Sequence, residues 1–255
     1  MKLIIITLAI ALSSCSILQN NEERYPTGIE KEYTSQDYMK HLYRISSLYL
    51  ENNKKVVKKA SKRSQAYFSK IQKRIVLNNE NILTGKEKPE IYIVNDLRPF
   101  YFSVPNGRYF FSRGLIKKYI KNEDLFISIF TTELLRSELG IFAKKVFVPF
   151  KNVTLKRMLA LSRLDLKTKA RLNNLTFEVM KRSGFDPEAK LLWLQMENRN
   201  SIEFSLQYES PSLISKEEYY IKNYMVKQDS SEDISYEKNS SRDFYLFRKS
   251  VEGIR

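Results

Sequence analysis

Residues 91–140, IYIVNDLRPFYFSVPNGRYFFSRGLIKKYIKNEDLFISIFTTELLRSELG, restrict the fold of this chain more than any other stretch. Residues 91–94 form a run of β-branched and aromatic side chains that reads as a buried strand, ending at Asn95-Asp96. A second strand over 100–104 enters the turn Pro105-Asn106-Gly107, and residues 108–112 read as its hairpin partner. Gly114 opens a short helix over 115–120. Asn122 then caps a longer helix with Glu123 and Asp124 in its first turn, where acids meet the positive end of the dipole, and Gly140 ends it. Leu125, Ile129, Leu134 and Leu135 supply its buried face. Strands joined by a tight turn and flanked by helices predict an α+β, helix-rich domain with a small antiparallel sheet.

The 255 residues are 42% hydrophobic and 13% aromatic, enough for one sizeable core. A formal net charge of +15 favours anionic partners, either nucleic acid or acidic membrane surfaces. The N-terminus decides between them. Met1-Lys2 is a short positive start, residues 3–12 are apolar over the length of a signal-peptide core and too short to span a bilayer, and Ser13-Ser14 precede the single cysteine, Cys15. Leu12-Ser13-Ser14-Cys15 resembles a bacterial lipobox. That resemblance implies cleavage of residues 1–14, acylation of Cys15 and an extracytoplasmic, membrane-anchored protein, which sets nucleic acid aside. Ser16 after the cysteine, rather than Asp, resembles the sorting signal for the outer membrane of diderm bacteria, facing the periplasm. With Cys15 given to lipid, no disulfide is possible in the mature chain.

Residues 15–35 are polar and read as a tether. Residues 36–226 carry the main domain. From 36 to 83 apolar residues recur at helical spacing (Tyr38, Leu42, Ile45, Tyr49, Val56, Ala60, Tyr67, Ile71, Val76), predicting one long helix or two joined near Asn52-Asn53. Lys54, Lys55, Lys58, Lys59, Lys62, Arg63, Lys70, Lys73 and Arg74 lie largely away from that stripe. They read as a solvated face, with anionic headgroups as the alternative partner. The single histidine, His41, sits here without companions and reads as a surface or packing residue rather than a metal ligand.

Later segments are helical over 153–162 and 164–182. Another helix starts at Asp186-Pro187 with Trp193 and Met196 as core residues. Ser215-Lys216-Glu217-Glu218 carries a capping-box signature and predicts a helix start before 219–226. Residues 227–255 read as a polar, partly flexible segment. Within it Phe244, Tyr245, Leu246 and Phe247 form an apolar cluster that either docks on the domain or engages a partner.

The succession V-P-N-G-R-Y-F-F-S-R-G-L-I, N-E-D-L-F-I-S-I-F and T-E-L-L-R, followed by Ser183-Gly184-Phe185-Asp186-Pro187-Glu188-Ala189, resembles the HtpX-like zinc metallopeptidases, peptidase family M forty-eight. The likeness covers roughly residues 91–193. It implies a metallopeptidase-like (zincin, gluzincin) fold and an envelope zinc endopeptidase. In the family's H-E-x-x-H, two imidazoles one helical turn apart bind zinc and the glutamate takes a proton from the bound water. The matching residues are Thr132, Glu133 and Arg136. The third ligand of the family, a glutamate on a later helix, falls at Lys169, with Leu172-Asn173 where the family has Ala-Asp. A later His-Pro step corresponds to Ser210-Pro211.

Threonine is a poor zinc ligand, and arginine and lysine oppose a cation. Only Glu133, at the general-base position, is retained, and a salt bridge to Arg136 or Lys169 is its expected role. The reading is a pseudoenzyme without metal or other cofactor, anchored at Cys15 and binding an envelope protein or peptide. The competing reading is an active zinc endopeptidase with ligands outside this register, such as Asp165, Glu138, Glu178 and His41. A serine or cysteine triad has no histidine to use in the core stretch, and no glycine-rich phosphate loop occurs.

Overall fold

The structure, a computed structural model, describes residues 35–143, 152–208, 210–228 and 239–253. The leader, Cys15, nearly all of the tether and most of the apolar stretch 141–150 lie outside the described residues, as do 229–238 of the charged C-terminal stretch.

Helix α1 (Ser35–Asn52) buries Tyr38, Leu42, Ile45 and Tyr49 on one stripe. The helical pattern from 36 to 83 divides beyond Asn52, but a strand, β1 (Val57–Lys59), intervenes before α2 (Lys62–Leu77). Its three residues bury Val57 and expose Lys58 and Lys59, too short a stretch for period-two alternation to stand out from a basic run. It forms one edge of the sheet, where lysines discourage pairing with another chain.

The sheet is mixed rather than antiparallel, in the order β1-β2-β4-β3. Strand β2 (Glu90–Val94) pairs antiparallel with β1 and parallel with β4 (Arg108–Ser112), and β3 (Tyr101–Val104) pairs antiparallel with β4. After β2 the chain crosses to the far edge to make β3, then turns back so that β4 inserts between β3 and β2. Tight packing holds this crossover: Gly114 donates its N–H to the Asp96 carbonyl, and a Cβ there would meet Leu97 O at 1.9 Å. The β3–β4 turn places Asn106 and Gly107 at φ 67° and 69°, the left-handed region that asparagine and glycine tolerate.

A π-helical turn (Leu115–Tyr119) leads to α3 (Glu123–Leu139), capped by Asn122, whose side chain accepts from Leu125 N at 2.9 Å, and ended by Gly140 at φ 66°. Its burial is continuous from Leu125 to Ser137 rather than confined to one face. A helix buried on every side belongs at the centre of a domain, and α3 packs on β3, α2, α5 (Leu166–Arg182) and α6 (Glu188–Arg199). Helix α4 (Leu155–Ser162) packs against β3 and α1.

Helix α7 spans Pro211–Gln228, so the expected start at Ser215 is displaced by one turn, Pro211 taking the first position. Ser215 instead hydrogen-bonds to Asn198, and Glu217 is buried at 4% exposure. The apolar cluster near the C-terminus lies on α8 (Arg242–Glu252), which docks on the core. Phe247 sits 5.2 Å from the Phe68 ring and 5.1 Å from that of Phe126, and Phe244 and Val251 are also buried. Glu123 ties the junction, accepting from Tyr67 OH and from Ser241 Oγ, each at 2.8 Å. Trp193 is fully buried and Met196 packs on the same core.

Candidate functional site

Helix α3 carries Thr132, Glu133 and Arg136 into the interior, α5 carries Lys169, Asn173 and Thr176, α6 carries Lys190 and Glu197, and α7 carries Glu217. Thr132, Glu133, Arg136, Lys169, Lys190 and Glu217 line one cavity of about 50 Å³. Helices α3, α5, α6 and α7, with Tyr101 of β3, therefore bring together residues as far apart in sequence as Tyr101 and Glu217.

Each side chain at a position matched to a zinc ligand has another partner. Thr132 donates to the Ser128 carbonyl at 2.8 Å, and its hydroxyl oxygen accepts from Lys190 Nζ at 3.1 Å. Arg136 lies 3.3 Å from Glu133 Oε1 and 3.5 Å from Oε2, and its guanidinium stands 5.5 Å from the Phe142 ring centre. The pair is almost wholly removed from water, with side-chain exposures of 6% and 2%. Lys169 pairs not with Glu133 but with Glu217 at 2.8 Å, a carboxylate that Asn173 also reaches at 3.2 Å. Ser210 hydrogen-bonds locally to Ser212, and the cavity wall from that segment is Tyr208.

A second layer surrounds Glu197, which is fully buried. It accepts from Tyr101 OH at 3.0 Å and Tyr208 OH at 2.5 Å, and Trp193 Nε1 donates to Tyr101 OH at 3.1 Å. Burial pushes its carboxyl up to about 7, although the two phenols and the Lys190 charge pull the other way. Burial also depresses the Lys190 ammonium, against the attraction of Glu197, Glu217 and Glu133. Tyr101 and Tyr208 are held well above the usual phenol range by burial and by the neighbouring Glu197.

The donor set does not fit zinc. A hydroxyl already donated to a carbonyl, a guanidinium and an ammonium stand where two imidazoles and a carboxylate are needed. The residues of the competing reading are spread over other parts of the fold. Asp165 caps α5 through Thr168 N at 2.9 Å, Glu138 accepts from Thr84 N and Gly85 N at 3.0 and 3.1 Å, and Glu178 accepts from Tyr224 OH at 2.8 Å. His41 lies on α1, its ring 6.4 Å from that of Tyr38. Among the described residues no three of His, Cys, Asp and Glu come together as a metal requires.

Lys190, Glu197 and Glu217 were not singled out by the motifs. Their signal in the sequence is faint: Lys190 and Glu197 are seven apart on a helix, flanking Trp193 and Leu194 on the same face, and so interrupt an apolar stripe at its two ends. Glu217 looked like a first-turn acid because Ser215 resembled a cap.

Compared with known protein families the chain matches none, and no curated protein matches it. No helix among the described residues is long and apolar enough to cross a membrane.

Proposed function

We propose that this chain is a lipid-anchored protein of the bacterial cell envelope, held through Cys15 and facing the periplasm from the outer membrane. Its metallopeptidase-like domain no longer assembles a zinc centre. It acts as a binding or scaffold module in envelope protein quality control or assembly. The observation that carries this reading is the convergence of Thr132, Glu133, Arg136 and Lys169 on one cavity. In the resembled family these positions hold two histidines, the general base and a glutamate. Their meeting in one place is what descent from a zincin fold requires, and their side chains are what loss of the metal requires.

The chemistry supports loss rather than a substitute reaction. Glu133 is engaged by Arg136 at 3.3 Å, so the one retained catalytic position is committed to a salt bridge. A carboxylate in that state has neither a metal-bound water to deprotonate nor a nucleophile beside it. The ion pairs Glu133–Arg136 and Glu217–Lys169 supply internally the charge balance that a metal and its ligands would otherwise share.

The purified chain, supplied with zinc and incubated with unfolded casein, is expected to leave the substrate intact. Chelator-sensitive cleavage that disappears in Glu133→Gln would overturn the reading.

A further inference from the structure

Of the charged side chains that line the cavity, four are cations (Arg136, Arg163, Lys169, Lys190) and two are carboxylates (Glu133, Glu217). Arg136 and Lys169 account for the two carboxylates as ion pairs. Lys190 has no such partner among the described residues. Its ammonium has three donors, and one of them is used, on Thr132 Oγ1 at 3.1 Å. At 2% exposure it has little water to turn to, and it borders the open volume. A buried ammonium with spare donors beside a cavity favours an acceptor that carries negative charge.

We propose that this cavity is a carboxylate-binding pocket, with Lys190 as the residue that meets the anion. Its size admits the claim: about 50 Å³ corresponds to roughly three or four water-sized spheres, enough for a planar carboxylate. Leu164, Leu172 and Leu194 line the same cavity and offer apolar contact to whatever carbon chain bears the acid. A centre laid out for a cation would thus have reversed its sign. The ligand class is a carboxylic acid, presented either by the C-terminus of a peptide or by a small free acid. This rests on the reading of the domain as a binding module.

Binding is measured by titration calorimetry on the full chain in detergent at constant ionic strength. The probes are sodium acetate, a short apolar peptide with a free C-terminal carboxylate, and the same peptide as its C-terminal amide. Acetate or the free-acid peptide binds saturably and the amide does not. If only acetate binds, the source is a small free acid, and if the free-acid peptide binds much more tightly, it is a chain terminus; both support the pocket. Lys190→Met weakens binding by at least about tenfold, while the control Lys73→Met, on the exposed side of α2, leaves it unchanged. Circular dichroism checks that each variant is folded, and Lys190→Arg serves as a second variant retaining charge and partial binding. No saturable binding to a folded, zinc-free chain, or equal binding of the amide, or unchanged affinity in folded Lys190→Met, would overturn the pocket. Stoichiometric zinc in the same sample would instead overturn the proposed function.

Discussion

Substituting Glu197 by glutamine should change how the stability of this protein depends on pH. The Glu197 carboxyl is raised from 4.5 to about 7 in the folded chain, chiefly by burial. Between those values the folded chain holds a proton that the unfolded chain has released. Stability therefore falls as pH rises through the window and has lost the full contribution above about 7. At about 1.4 kcal/mol per pH unit the loss is about 3 kcal/mol, a large part of the total stability of a domain. Glutamine keeps the shape, accepts from one phenol and donates to the other, and never ionises. Urea unfolding of the two proteins from pH 4.5 to 7.5 reads the effect, because groups away from Glu197 titrate alike in both and cancel in the difference. Lys190 is the exception: without the attraction of Glu197 its ammonium is depressed further, which makes the variant's stability rise more with pH and adds in the same direction. The difference in unfolding free energy should shift by about 3 kcal/mol in favour of the variant across the window. A difference constant to within about 0.5 kcal/mol would mean that Glu197 ionises normally and that the buried layer around it is wetter than its packing implies.

Arg136→Met should destabilise the fold by about 3 kcal/mol, since it leaves the Glu133 carboxylate buried without its cation; Glu133→Gln on that background should restore most of the loss in urea melts. Lys190→Met should leave stability unchanged or raise it by about 1 kcal/mol, because an ammonium with one hydrogen bond is replaced by an apolar chain of similar length. A clear loss on thermal unfolding would show that its attraction to the surrounding carboxylates outweighs its desolvation. Phe247→Ala should cost about 3 kcal/mol or more, as its ring is buried at the junction of α2, α3 and α8. A surface-like cost below about 0.5 kcal/mol would detach α8 from the core.

The parts of the fold that were legible in the sequence have strong local causes. Asn122 and Gly140 bound α3 because a side-chain cap and a left-handed residue are short-range devices, and Pro105-Asn106-Gly107 marks its turn for the same reason. The mixed pairing was not legible. Whether β4 joins β2 in parallel or only closes a hairpin with β3 depends on where the connection over residues 95–100 crosses, and that is set by the close approach of Gly114 to Leu97. Strand β1 was hidden by its own protection, since the lysines that guard an edge read as a charged loop or helix face.

The site divides in the same way. Thr132, Glu133 and Arg136 share one helix and could be compared with a motif directly, and Lys169 followed by counting back from Gly184. Glu217 comes from a helix nearly fifty residues further on, and nothing local distinguishes a glutamate that will be buried against Lys169 from one that will face water. Lys190 is a lysine whose neighbours in space, not in sequence, make it unusual.

The most direct test of the central claim is metal content. The protein is purified without a histidine tag, exposed to excess zinc, dialysed and analysed for bound metal while its fold is checked by circular dichroism. A folded chain without stoichiometric zinc is the expected result, given a guanidinium and an ammonium at two of the three positions matched to ligands. Stoichiometric zinc, lost on substituting Glu133 or His41, would contradict the account and return the protein to the active metallopeptidases.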